Sequence, residues 1–198
     1  MFKNPENWFP DLFFANAFAI LIIILALVDY VLPKLLARKR TSAPTLVKDR
    51  WSFQFVYITS VFSLAIGILF RIQDWGISLG ALQYAGLVVI VLGLVLRNWA
   101  ILKLGQLFSR TVTIEKGHRL VTDGPYRWLR HPAYTGMILM YAGINLALGT
   151  WLGSLIGAGF VLIAALYRID VEEKTLTEAF GEEYREYMRR TWRLLPGW

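Results

Sequence analysis

Runs of apolar residues broken by short polar stretches organise this chain of 198 residues. The first run, Leu12 to Val31, has about the length that a helix needs to cross the hydrocarbon of a bilayer, and Pro33 is expected to end it. Asn16 and Asp29 interrupt it, and Asp29 lies near enough to one end to be interfacial. Ser52 to Phe70 forms the second run, and the short RIQDWGIS turn leads into the third, from Leu79 to about Ala100. Ala133 to Leu148 and Trp151 to Tyr167 are the fourth and fifth, joined only by Gly149 and Thr150, which predicts a tight antiparallel hairpin. Both are slightly short for a span, so the hairpin is expected to rely on local thinning or on helix continuing past the apolar part.

Small residues mark where these helices are expected to touch. Ala85, Gly86 and Gly93 give the third run a face for close approach, while Gly136 and Gly143 on the fourth and the GxxxG of Gly153 and Gly157 on the fifth predict a closely packed hairpin. Between the third and fourth runs, TVTIE is short and β-branched enough to pair briefly as a strand within an ordered loop. Beyond Arg168 the tail is charged, with Leu176, Phe180, Tyr184 and Met188 recurring every four residues. That stripe predicts an amphipathic helix, continuous with the fifth run, bent near Gly181 and lying over the polar passage that precedes the fourth run.

Composition turns this pattern into a fold class. With 56% hydrophobic residues and a mean hydropathy of +0.47, the chain reads as an all-α integral membrane protein. Five transmembrane helices, a tight C-terminal hairpin and a cytosolic amphipathic tail helix are expected. The division is a single membrane domain over residues 1–198, with three N-terminal spans in 1–100 and a catalytic region in 101–198. The opening MFKNPENWFP lacks the basic segment and small-residue site of a cleaved signal peptide, so the first run is expected to stay as a span.

Charge sets the orientation. The net charge is +7, but the basic residues sit beside apolar blocks, which favours anionic lipid over nucleic acid as a partner. Of 21 lysines and arginines, all but Lys3 and Arg71 fall after the first run, between Arg97 and Arg130, or in the tail. The N-terminus is therefore expected outside and the C-terminus in the cytosol, in a bacterial plasma membrane or the endoplasmic reticulum. The absence of cysteine excludes disulfides, thiolate zinc sites and cysteine nucleophiles, and two separated histidines suggest no metal cluster.

The polar passage from Gly117 to Tyr134, GHRLVTDGPYRWLRHPAY, is where chemistry is expected. Pro132 suits the first turn of a helix, and the helix N-terminus with Arg130 and His131 beside it would form an anion site. The plainer alternative makes Arg130 and His131 headgroup anchors. A second cluster, Arg168 with Glu172 and Glu173, stands where the fifth run leaves the membrane. Arg168 and Glu172 are spaced for a surface ion pair, yet the hairpin topology brings them next to Arg130, His131 and Tyr134. A site built there would take a polar cofactor from water and an amphiphilic substrate from the bilayer. Nothing in the chain resembles a serine triad, a GxSxG elbow, a P-loop or a GxGxxG turn.

GHRLVTDGPYRWLRHPAYTG, followed by R-x-x-x-E-E-x-x-L and FGEEYREY, resembles the isoprenylcysteine carboxyl methyltransferase family of integral membrane enzymes that use S-adenosylmethionine. The likeness covers about Gly117 to Tyr187. It implies cofactor contacts from His118, Arg119, Leu120, Val121, Tyr126, His131, Pro132, Ala133, Tyr134 and Glu172, with Arg168 facing the methyl acceptor. Ala133 stands where relatives often carry Ser or Met, and Thr111 or Thr113 would replace a further polar contact. The implied acceptor is a prenylated or other lipid-borne carboxylate. Such a carboxylate is already ionised near neutral pH, so the reaction needs alignment and not a general base. Arg168 would hold it by a bidentate pair, Glu172 would accept hydrogen bonds from a cofactor hydroxyl or ammonium group, and both histidines would bind without shuttling protons. Alternatives are a phosphatidylethanolamine-like N-methyltransferase, a non-catalytic membrane scaffold, and a sterol-reductase-like protein, whose relatives are longer.

Overall fold

The computed structural model describes residues 8–38, 46–49, 51–77, 80–109, 112–114 and 119–197. Two candidates, Thr111 and His118, lie outside the described residues, as do much of the basic loop after the first run and the Asp29 side chain. The elements in order are α1 (Leu12–Arg38), β1 (Leu46–Asp49), α2 (Trp51–Ile72), α3 (Ala81–Leu104), β2 (Val112–Ile114), α4 (Pro132–Ala147), α5 (Trp151–Phe180) and α6 (Glu182–Arg190). Helix α1 continues past Pro33 to Arg38, beyond the expected end. Val112–Ile114 takes up the pairing that its β-branched residues allow, antiparallel to β1 with Ile114 opposite Leu46.

Burial is inverted relative to a water-soluble domain. Large apolar side chains face outward along α1 (Leu12, Ile20, Ile23, Leu27), α2 (Tyr57, Ile58, Val61), α3 (Val88, Leu92, Val95) and α5 (Leu155, Ile163). Ser52, Thr59, Ser60, Ser63, Gln83, Asn145, Thr150 and Ser154 are buried instead. An apolar exterior around polar helix contacts is what lipid selects, because apolar surface gains nothing by leaving lipid whereas polar groups must find partners inside. Among the described residues, α2, the stretch Ala81–Leu107 and α5 are long and apolar enough to cross a membrane; Leu12–Val28 is a shorter apolar helix.

Glycines set the closest helix contacts, though not all where the sequence placed them. A Cβ on Gly86 would meet Ala147 N at 2.5 Å and Gly143 O at 2.8 Å, and one on Gly93 would meet Gly136 O at 2.6 Å. Gly136 and Gly143 therefore serve the α3–α4 crossing and not the α4–α5 hairpin. Gly157 faces Ser63 and Asn145, so the small face of α5 admits α2 and a polar side chain. Asn145 donates to Ser63 Oγ (3.2 Å) and Tyr141 O (2.8 Å), joining α2 to α4. The hairpin itself closes by Thr150, whose hydroxyl accepts from Gly153 N and donates to Trp75 O, each at 3.0 Å. These contacts fix one end of the bundle; α2 begins, α3 ends, α4 begins and α5 leaves the bundle at the other.

Candidate active site

At that second end the site rises from the start of α4. Gly124–Arg127 forms a 3-10 turn with Pro125 and Tyr126 buried, and Tyr126 packs with Ala133 and Ala100 while Val121 and Leu104 lie against them. Four sequence candidates thus meet on one surface with α3 or beside it: Val121, Tyr126, Ala133 and, at the helix start, the buried Pro132. Leu120 is half-buried and Arg119 exposed. Thr113 lies in β2.

The polar half of the site has a single geometry shared by α4 and α5. Tyr134 Oη donates to Glu172 Oε1 at 2.6 Å and accepts from Arg168 Nε at 3.1 Å, while Arg168 Nε also reaches Glu172 Oε1 at 3.0 Å. Arg168 Nη1 donates to Ser52 Oγ at 2.5 Å. Arg168 is only 2% exposed, so the solvent-screened surface ion pair allowed by its spacing is not what forms. The hairpin brings Arg168, Glu172, Tyr134 and His131 together as its topology demanded. Ser52, at the first turn of α2, is a site residue that the sequence reading missed, because nothing along the chain links it to a partner 116 positions away.

Arg130 takes a different role from the one expected. Its Nε donates to Glu173 Oε1 at 2.9 Å and its Nη1 to Met188 O at 3.0 Å and to Thr191 O. It is a strut between the α4 entry and the tail, not a donor held ready for an anion. The helix N-terminus is likewise engaged: the Tyr134 and Thr135 amides both bond His131 O at 3.1 Å, and Pro132 has no N–H. Intrahelical bonds thus engage the Tyr134 and Thr135 donors at the start of α4.

The tail covers this region as its apolar stripe predicted. Gly181 has φ +57, a left-handed value that costs glycine little, and it breaks α5 from α6. Beyond α6 the chain runs beside the α4 entry like a short parallel strand: Arg130 N donates to Trp192 O at 2.7 Å, Trp192 N to Trp128 O at 3.0 Å, and His131 N to Arg193 O at 3.2 Å. Tyr187 Oη donates to Tyr126 O at 2.8 Å. Burial pushes the Tyr126 phenol well above its ordinary range, with the Glu172 charge adding to it; burial likewise raises Tyr187 despite the opposing Arg130 charge. Both stay neutral hydroxyls at physiological pH.

The donor set suits a cationic, hydroxyl-bearing cofactor. Glu172 offers an acceptor, and Tyr126, Val121 and Ala133 supply an apolar wall that would shelter a planar ring or a sulfonium. Arg168 with Ser52 supplies the positive counterpart for an anionic acceptor.

Comparison with known proteins finds relatives of one kind. The family model for the isoprenylcysteine carboxyl methyltransferase family matches residues 86–178. Among curated proteins, protein-S-isoprenylcysteine O-methyltransferase B of Arabidopsis thaliana is 36% identical over 120 residues, covering 60% of this chain and 58% of its own. Protein-S-isoprenylcysteine O-methyltransferase of Homo sapiens is 36% identical over 120 residues, 58% of this chain and 41% of its own. The chain thus spans only part of the length of the curated relatives it matches. A solved structure of the eukaryotic intramembrane Ras methyltransferase, an isoprenylcysteine carboxyl methyltransferase, superposes with a TM-score of 0.69 at 25% identity, covering 93% of this chain and 66% of its own. Residues 86–178, which hold most of α3, the α4 entry and α5 through its Arg168–Glu172 pair, are similar in sequence to the isoprenylcysteine carboxyl methyltransferase family, and the chain is similar in fold to a solved structure bearing that name.

Proposed function

We propose that this protein transfers a methyl group from S-adenosylmethionine to the carboxylate of a lipid-borne acceptor, a C-terminal isoprenylcysteine or an analogue, at the cytosolic face of a membrane. The observation that carries the reading is the triad of Arg168, Tyr134 and Glu172, in which one buried guanidinium and one carboxylate share a phenol between the two halves of the site. When bound, the cofactor supplies an electrophilic methyl group on a sulfonium.

The residues around it do the positioning. Val121, Tyr126 and Ala133 exclude water from one side, and Glu172 accepts from an ammonium or hydroxyl of the cofactor. Arg168 draws the acceptor carboxylate into line. Because that carboxylate is ionised and carries its own nucleophilic pair, no proton leaves it, and buried neutral phenols at Tyr126 and Tyr187 are consistent with a site that moves none. Arg119, Leu120, His118 and Pro132 complete the cofactor side in this reading, with Thr111 or Thr113 as a further contact. The outward apolar side chains of α2 and α5, among them Tyr57, Ile58, Leu155 and Ile163, suit contact with lipid, from which the acceptor would come to Arg168.

The arrangement in the membrane follows: α1 to α5 as five spans, N-terminus outside, site and tail in the cytosol, α6 along the interface. Titrating the detergent-purified protein with S-adenosylhomocysteine tests the cofactor half. Saturable binding by the wild type, weakened about tenfold or more in Glu172→Ala, is expected for loss of a charge-assisted hydrogen bond. A folded wild type that does not bind overturns the methyltransferase reading.

A further inference from the structure

Glu173, the neighbour of the cofactor-side Glu172, has no part in the chemistry just described, yet it is among the most heavily paired carboxylates of the site. Its Oε1 receives Arg130 Nε at 2.9 Å and lies 3.1 Å from His131 Nε2; its Oε2 lies 3.1 Å from Arg193 Nη2. Arg193 is also held by Asp170. Three elements therefore meet on one carboxylate: the α4 entry, α5 and the segment after α6.

His131 is the only one of these partners with two ways to sit. It is 5% exposed, and it occupies the N-cap position of α4 without a side-chain cap, so its backbone leaves the ring's orientation to side-chain partners. A carboxylate facing two guanidinium groups is ionised and can only accept, so the proton at the His131–Glu173 contact belongs to Nε2. The other ring nitrogen, Nδ1, is 3.7 Å from Glu172 Oε2, beyond hydrogen-bond length, on the side of the Tyr134–Glu172–Arg168 triad.

We propose that Glu173 is a positioning residue that fixes His131 as the Nε2–H tautomer, so that Nδ1 is presented toward Glu172 as a hydrogen-bond acceptor for a ligand ammonium, hydroxyl or amino group. This rests on the cofactor reading above and gives it a second acceptor beside Glu172. The two acceptors stand on adjacent elements, so a ligand donor between them would be gripped from α4 and α5 at once. Glu173 itself stays outside ligand contact and acts through the ring, as carboxylates behind metal-bound histidines act through theirs.

The test reads the ring directly. Nitrogen-15 NMR of histidine-labelled protein, with His118→Gln to assign the two imidazoles, is expected to show a protonated Nε2 and a pyridine-like Nδ1 at His131 in the wild type. Glu173→Gln, which keeps the shape but can donate as well as accept, should mix the two tautomers and raise the Kd for S-adenosylhomocysteine about tenfold. An Arg193→Gln variant, which loosens the strut but leaves the carboxylate at His131, should keep the wild-type tautomer. A single unchanged tautomer in Glu173→Gln overturns the proposal, as does a mixed one in the wild type; weakened binding beside an unchanged tautomer assigns Glu173 to the tail strut instead. Because the NMR readout needs no ligand, failure of the wild type to bind S-adenosylhomocysteine would strike the cofactor reading separately from the positioning of the ring.

Discussion

At the scale of single residues, Arg168 joins three helices at the site. A buried guanidinium is costly to leave unpaired, and here Tyr134, Glu172 and Ser52 share it, with α2, α4 and α5 each supplying a partner. The planar fork can keep Ser52 on one edge while an acceptor carboxylate competes with Glu172 for the other, something a lysine ammonium cannot copy. Arg168→Lys is therefore expected to lower kcat/KM by about ten- to a hundredfold with S-adenosylhomocysteine affinity nearly unchanged. Ser52→Ala should cost about tenfold or less on the same assay, through a less well-held Arg168. Equal losses of turnover and cofactor affinity in either variant would place Arg168 on the cofactor side. The pairing of Arg168 with Glu172 was legible in the sequence from spacing, and its place beside Tyr134 from the hairpin; its burial was not. Ser52 was not, because a serine near the start of an apolar run carries no pattern; only the α2–α5 contact gives it meaning.

At the scale of elements, the contact of α3 with α4 backs the apolar half of the site. The sequence pattern located the helices well because span-length apolar runs leave few alternatives, and it located the tail helix because its stripe has a four-residue repeat. It misassigned the partners of Gly136 and Gly143, since a small-residue face says that something approaches closely but not which helix does. It also misread Arg130, which looks like a free cation in sequence and is a strut in space, because the backbone carbonyls it reaches, on Met188 and Thr191, belong to a distant segment. The glycine contacts make a measurable claim. At Gly86 and Gly93 the atoms a methyl would meet include backbone atoms of α4, which cannot swing aside as a side chain could. Gly86→Ala is expected to destabilise the detergent-solubilised protein by about 1–3 kcal/mol, read as a lower melting temperature. Gly159→Ala, where an added Cβ meets nothing within 4 Å, should cost no more than a few tenths and serves as the control. Comparable losses at both positions would mean that the α3–α4 contact is looser than its distances imply.

At the scale of the whole molecule, the two ends of the bundle differ in kind. One is closed by Thr150, Trp75 and Gly76 with Arg71 tucked in, buried and bonded to Trp8 O. The other carries the paired cluster of Arg130, Arg168, Glu172, Glu173 and Arg193, with exposed Arg119, Arg127, Arg185, Arg189 and Arg190 around it. Insertion follows the density of lysine and arginine flanking the spans, and the buried Arg71 opposes it only weakly. Exposed Trp99, Trp128 and Trp192 stand at the same end as the cluster, with the Trp99 and Trp128 rings 6.5 Å apart, where an interfacial aromatic belt would lie. If that end faces the cytosol, a water-soluble donor meets the site from the compartment in which it is made, while the acceptor arrives sideways through lipid. A fluorescent protein fused after Trp198 should then fold and fluoresce, and alkaline phosphatase fused at the same place should stay inactive. An active phosphatase there would invert the chain and place the site, with Arg168 and Glu172, on the wrong side of the membrane for a cytosolic methyl donor.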